Sequence, residues 1–117
     1  KTDYEARLLT AAASAEAEIF DRLYGVVAKA HLALADSERV FRNTLILNMI
    51  TTAKKVPLLN VTENVKLNAL AAEILSKANQ LDIDALRSDE SYRESIALGL
   101  KVTAEDVEKL YEESKQV

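Results

Sequence analysis

His31 is the one histidine in 117 residues, and no cysteine accompanies it. A serine or cysteine hydrolase needs a nucleophile beside a base, and this base sits among Val27, Ala28, Leu34 and Ala35 on its own helical stretch. Carboxylate-bridged di-iron bundles use Glu-x-x-His pairs, but the residue three before His31 is Ala28. Zinc sites built from Cys and His fail on the same count. The residues therefore predict no metal and no cofactor, with His31 structural or solvent-facing.

Carboxylates are the other candidates for chemistry. Glu105, Asp106, Glu108, Glu112 and Glu113 crowd one short segment, yet Lys109 and Lys115 alternate with them at salt-bridging helical spacing. General acid–base work needs one carboxylate buried with its proton affinity raised, whereas this pattern reads as a solvated face. Glu105 and Asp106 also suit the positive end of a helix dipole. Asn60-Val61-Thr62 matches the N-glycosylation pattern, but Asn60 is better placed as a helix cap. The two glycines lie far apart, so no Gly-rich phosphate loop exists. Ile96 to Glu112, with Gly99 in its middle, has the outline of a helix-turn-helix. Its second helix would carry mostly Glu and Asp toward phosphates, so no nucleic-acid partner is expected.

The stretch most open to a functional reading lies between Arg42 and Lys54, which holds no charge. Thr44, Asn48 and Thr51 share one face at spacings of four and three, with Arg39 and Arg42 a turn earlier. One reading makes this a central helix enclosed by the others, its hydroxyls bonded back to helix carbonyls and Asn48 satisfied by a neighbour. The other makes Arg39, Arg42, Thr44, Asn48 and Thr51 a contact surface, or the lining of a pocket for a small ligand. Asn64 and Asn68, four apart, are candidates for the same seam.

The elements that must position these residues are helices. Apolar residues make up 49% of the chain but aromatics only 5%, and two glycines and one proline leave few breakers. Tyr4, Leu8, Ala12, Ala15, Ile19, Leu23, Val26, Ala30 and Leu34 form one stripe from an Asp3 cap onward, widened by Leu9, Phe20 and Val27, with Gly25 tolerated inside it. Asp36 and Ser37 are read as caps of a second helix through Val40, Phe41, Leu45, Leu47 and Ile50, ending near Val56 ahead of Pro57. A rival reading runs straight through Asp36, because Ile19, Val26, Ala33, Val40 and Leu47 keep a seven-residue spacing. The break is preferred.

Asn60 and Glu63 predict a capping box for a third helix carrying Val61, Val65, Leu67, Leu70, Ile74, Leu75, Ala78 and Leu81. Leu81 to Ser88 reads as a connection with room for one helical turn. Ser88 then caps a helix through Tyr92, Ile96 and Leu98 that Gly99 closes, and Thr103 caps a last one with Val107, Leu110 and Tyr111 inward. The expected fold is all-α: residues 1–117 as a single compact antiparallel bundle of four or five helices.

Charge and hydropathy narrow the partners. The chain carries 19 acids and 15 bases, a formal net charge of −4, concentrated toward its C-terminal third. No apolar run approaches the roughly 18 residues a membrane span needs, so no direct membrane insertion is expected. Lys1 rather than Met opens the sequence, which is read as a processed form or as a piece of something longer. The function expected is non-catalytic: a helical protein–protein interaction or assembly module, with a protein partner or self-association. The alternative is a ligand-sensing helical bundle excised from a larger receptor.

Overall fold

Apolar spacing of three and four carries the first helix straight through Gly25, where a side chain would meet no other atom and the backbone stays helical. The computed structural model describes the backbone of residues 2–36, 38–60 and 64–115, and the side chains of residues 15–36, 38–60 and 64–113. It contains α1 (Thr2–Ala35), α2 (Asn43–Leu59), α3 (Val65–Asn79), α4 (Ile83–Ser88) and α5 (Glu90–Lys115). Among the described residues there is no strand, and the architecture is the all-α bundle expected.

The molecule measures 60 × 22 × 20 Å. Its length comes from α1, since 34 helical residues rise about 51 Å. Helix α5 runs antiparallel along α1. Leu34 meets Arg93, His31 meets Ala97 and Phe20 meets Tyr111, so numbers rise on one helix as they fall on the other. Helix α2 packs between α1 and α3, and the short α4 leans on α5. Between them α1 contributes Phe20, Leu23, Val27, Ala30 and Leu34 to one continuous core, with Ile46, Met49, Leu67, Ile74, Leu86, Leu100 and Val107 from the other helices. Full burial of a side chain such as Leu23 or Leu67 is worth about 1.5–3 kcal/mol, so this core dominates the stability.

The expected stripe of α1 is confirmed from Ile19 to Leu34, with Val26 only partly buried; the side chains of Tyr4, Leu8, Leu9 and Ala12 lie outside the described residues. The second helix departs from expectation. Asp36 caps no helix: its Oδ1 accepts from the Glu38 amide at 3.2 Å and its carbonyl from the Arg39 amide at 3.1 Å, which makes a turn. Ser37 lies outside the described residues. The break itself is real: the described residues between Ala35 and Asn43 are not helical, and Val40 and Leu47 of the seven-residue spacing are exposed, at 90% and 52%.

Helix α2 starts seven residues past Asp36, at Asn43, and buries Ile46, Met49, Ala53 and Val56 rather than Leu47. The expectation that Leu47 is core is therefore wrong. It also continues to Leu59 with Pro57 inside it, contrary to the expected stop near Val56. A proline two residues before a helix end forfeits one backbone bond, and anchoring Val56 in the core offsets that loss.

Asn60 is not the cap of the third helix. Asn64 is, its Oδ1 accepting from the Leu67 amide at 3.1 Å, while Asn60 ends α2; Glu63 and Val61 lie outside the described residues. Val65, expected inward, is exposed. The last two expected helices are one. Asp89 rather than Ser88 receives the Tyr92 amide at 3.1 Å, and the Ser88 hydroxyl donates back to the Asp84 carbonyl. Gly99 does not end a helix and Thr103 does not start one: the buried Thr103 hydroxyl donates to the Gly99 carbonyl at 2.9 Å, four residues back. The reason is the unbroken stripe of Arg93, Ala97, Leu100, Ala104 and Val107, which α1 covers along its whole length; Leu98, expected inward, faces solvent. With no turn at Gly99, the helix-turn-helix outline disappears.

Candidate functional site

Arg39, Arg42, Thr44, Asn48 and Thr51 all line one groove between α1 and α2, with a volume of about 790 Å³. All five are exposed, so the enclosed-helix reading of this stretch is incorrect. The side of α2 opposite Ile46, Met49, Ala53 and Val56 is what the groove presents. Helical spacing puts Thr44, Asn48, Thr51, Thr52 and Lys55 along that side, and α1 adds Asp21, Arg22, Gly25 and Lys29 as the facing wall.

Charge makes the groove unlike the rest of the molecule. Among the described residues its lining holds Arg22, Lys29, Arg39, Arg42 and Lys55 against one carboxylate, Asp21, a surplus of four positive charges in a chain of net −4. Arg22 pairs with Glu18 at 2.6 Å, but both side chains are 61% exposed, where such a pair contributes little. Lys29, Arg39, Arg42 and Lys55 make no salt bridge among the described residues. Amides and hydroxyls supply the remaining polar atoms. A wall of this kind can bind carboxylate or phosphate oxygens by charge-assisted hydrogen bonds.

The segment that brings Arg39 and Arg42 to the groove is held from behind by a residue that periodicity passes over. Arg93, only 8% exposed, donates to the carbonyls of Leu34 at 3.0 Å, Ala33 at 2.9 Å, Asp36 at 2.7 Å and Arg39 at 2.7 Å. It thereby caps the C-terminus of α1, where free carbonyls and the helix dipole favour a cation, and pins the turn that follows. Its guanidinium also lies over the Phe41 ring, 5.2 Å from the centroid. Arg87 of α4 lies 5.1 Å from the same centroid and donates to the Asn43 Oδ1 at 2.5 Å, which fixes the start of α2. Phe41, 5% exposed, is the apolar plug between the connector and the core.

Asn64 and Asn68 do not face this seam. Asn60 Nδ2 donates to the Asn64 carbonyl and to Asn68 Oδ1, both at 2.9 Å, and Asn64 Nδ2 donates to Glu16 of α1 at 3.3 Å. The three amides form a polar clasp between α2, α3 and α1, which explains why Asn60 is buried; the other residues of the glycosylation pattern, Val61 and Thr62, lie outside the described residues. His31 sits between α1 and α5 with Nδ1 2.8 Å from the Ala97 carbonyl. A carbonyl only accepts, so Nδ1 carries the proton in this contact. Among the described residues no group of three or more His, Asp or Glu is arranged to hold a metal ion, and no helix is long and apolar enough to cross a membrane. In comparisons with known proteins, no family model matches the chain, and neither a curated protein nor a solved structure matches it.

Proposed function

We propose that this chain is a non-catalytic binding module and that the α1–α2 groove is the surface it offers to an acidic protein partner. The observation that carries this reading is the gathering of Arg39, Arg42, Lys29 and Lys55 beside Thr44, Asn48 and Thr51 on one open groove with Asp21 as the single carboxylate. Cations held apart from the chain's own acids keep their charge available for a partner, and flanking amides and hydroxyls give carboxylates directional hydrogen bonds. An extended acidic segment suits a groove that is long and open rather than deep.

The test is a titration of fluorescent poly-glutamate into the protein at low salt, with uncharged poly-glutamine as control. Binding of poly-glutamate alone is expected, and Arg39→Glu with Arg42→Glu should weaken it at least about tenfold, or 1.4 kcal/mol. Lys101→Glu, an exposed reversal away from the groove, should change little. Equal binding of both polymers, or a reversed groove that binds as before, overturns the reading.

A second reading, a sensor of a small anionic ligand, is favoured by the groove's volume, which falls within the range of about 300–1,000 Å³ of small-molecule sites. It expects citrate or succinate to raise the melting temperature, an effect lost on Arg42→Gln.

A further inference from the structure

We infer that the cleft between α3 and α5 is a binding site for a small aliphatic carboxylate, an acid of about eight carbons. The cleft shares no lining residue with the α1–α2 groove. Its volume is about 330 Å³, room for about ten non-hydrogen atoms at roughly 30 Å³ each, which is the size of octanoate. The floor is apolar and buried: Met49 of α2 is 1% exposed, Ile74 of α3 2% and Leu100 of α5 7%. Helices α3 and α5 run antiparallel on either side, since Asp82, just past α3, meets Tyr92 while Lys66 and Leu70 share a depression with Asp106 and Glu113. The α5 wall is cut back at Gly99. A Cβ there would meet no atom within 4 Å, so the space a side chain would take stays open to a ligand.

The polar groups lie at the mouth rather than the floor, and they set the ligand's class. Lys77 is the one charged residue in the lining, and no carboxylate shares that lining with it. Its ammonium meets Glu73 at 3.0 Å, but both side chains are more than half exposed, where such a pair contributes little and the cation's other donors are free for a bound carboxylate. The Ser95 hydroxyl makes no hydrogen bond among the described residues, and Tyr92 Oη only accepts there, from the Asp82 amide at 3.2 Å; both keep a proton to donate. The Thr103 hydroxyl, in contrast, is spent on the Gly99 carbonyl. One cation with spare O–H donors suits an anionic head, and the floor of Met49, Ile74 and Leu100 suits an alkyl tail. A cationic head would meet Lys77 with no lining carboxylate to offset it. A compact polyanion would leave the floor uncovered.

Amide NMR on the whole chain tests this, with octanoate as the probe at concentrations where it is monomeric. A saturable shift of the Ser95, Gly99 and Leu100 amides is expected. Butanoate, with half the tail, should bind at least about tenfold more weakly, and octylammonium should give no saturable shift there. Lys77→Met should weaken octanoate several-fold and leave octanol unchanged, which separates the head from the tail. Gly99→Leu fills the cleft from α5 and should weaken octanoate and octanol alike by at least about tenfold. Ser95→Leu, at an exposed position on the same wall, is the second filling variant should circular dichroism show that Gly99→Leu loses helix. Arg42→Gln with Lys55→Gln removes two cations from the α1–α2 groove and should leave octanoate binding as it was. Unsaturable shifts spread over exposed apolar side chains such as Leu98 and Val102 overturn the inference. So does octanoate binding that the filling variants leave intact, or that is lost with the groove variant instead. Octylammonium bound as tightly as octanoate overturns the assignment of a carboxylate. Poly-glutamate binding is read separately on the same variants, so the cleft and the groove stand or fall independently.

Discussion

Arg93 is the residue on which the geometry of the candidate site turns. Four carbonyls from the end of α1 and the following turn depend on one guanidinium, and they are drawn together before α2 begins. Leaving buried acceptors without donors costs about 1–3 kcal/mol per group, so Arg93→Ala should lower stability by about 3–5 kcal/mol in a urea melt. Lysine cannot reproduce a planar fork, so Arg93→Lys should recover only part of that loss and should loosen the presentation of Arg39. Asn48 and Leu47 respond differently. Asn48→Leu, at an exposed groove position, should leave the melt within about 0.5 kcal/mol while changing the binding of poly-glutamate. A large loss of stability would return Asn48 to the core. Ile46→Ala should cost about 2–5 kcal/mol through lost transfer energy and the cavity left behind, far more than Leu47→Ala.

Among the elements, α5 is the one whose continuity has most effect on the rest. It spans the length that two separate helices were expected to cover. Gly99 sits in its interior with no atom within 4 Å of where a Cβ would stand. Gly99→Ala should therefore stabilise the protein by about 0.5–1 kcal/mol, through helix propensity and a less flexible unfolded chain. A destabilisation would mean that Gly99 adopts a non-helical conformation. Helix α2 is the counterpart: its N-terminus has no side-chain cap of its own, and Arg87, donating to the Asn43 Oδ1 and the Phe41 carbonyl, ties that end to α4. The connector and α4 thus behave as one unit that sets where α2 starts.

At the scale of the molecule, stability should rest on the apolar core and not on ions. The two salt bridges found among the described residues join neighbouring turns of single helices at exposed positions, where each contributes about 0.3–0.5 kcal/mol at most. A chelator such as EDTA should leave the melting temperature unchanged. A large drop on chelation would show that the acidic positions hold a stabilising metal. Binding of poly-glutamate to the groove, in contrast, should respond steeply to salt, because the groove is charged and solvent-facing. The same titration of sodium chloride thus separates folding from binding in one preparation.

The amino-acid sequence by itself determined that this chain is helical, roughly where its helices lie and which side of α1 is buried. Those properties follow from local propensity and from a 3.6-residue period that α1 displays without ambiguity. The polar composition of the groove was also legible, because Thr44, Asn48 and Thr51 share a helix face by spacing; Arg39 and Arg42 reach it from the connector that precedes α2. The register of α2 was harder to read, since Leu45, Ile46, Leu47, Met49 and Ile50 surround much of the helix with apolar groups. A signal was present: the set of Ile46, Met49, Ala53 and Val56 stays apolar to the helix end, whereas the one through Leu47 and Ile50 runs into Lys54. Only the tertiary structure decided the role of Arg93. An arginine on an amphipathic helix reads as solvated, and the carbonyls it serves lie 54 to 60 residues earlier in the chain. Local pattern likewise marked Gly99 as a helix end, but the packing of α1 along α5 from Arg93 to Tyr111 outweighs a single glycine's cost of about 1 kcal/mol. The basic groove belongs to the fold as well, because Lys29 of α1 acquires a shared field with Arg39, Arg42 and Lys55 only when the helices dock.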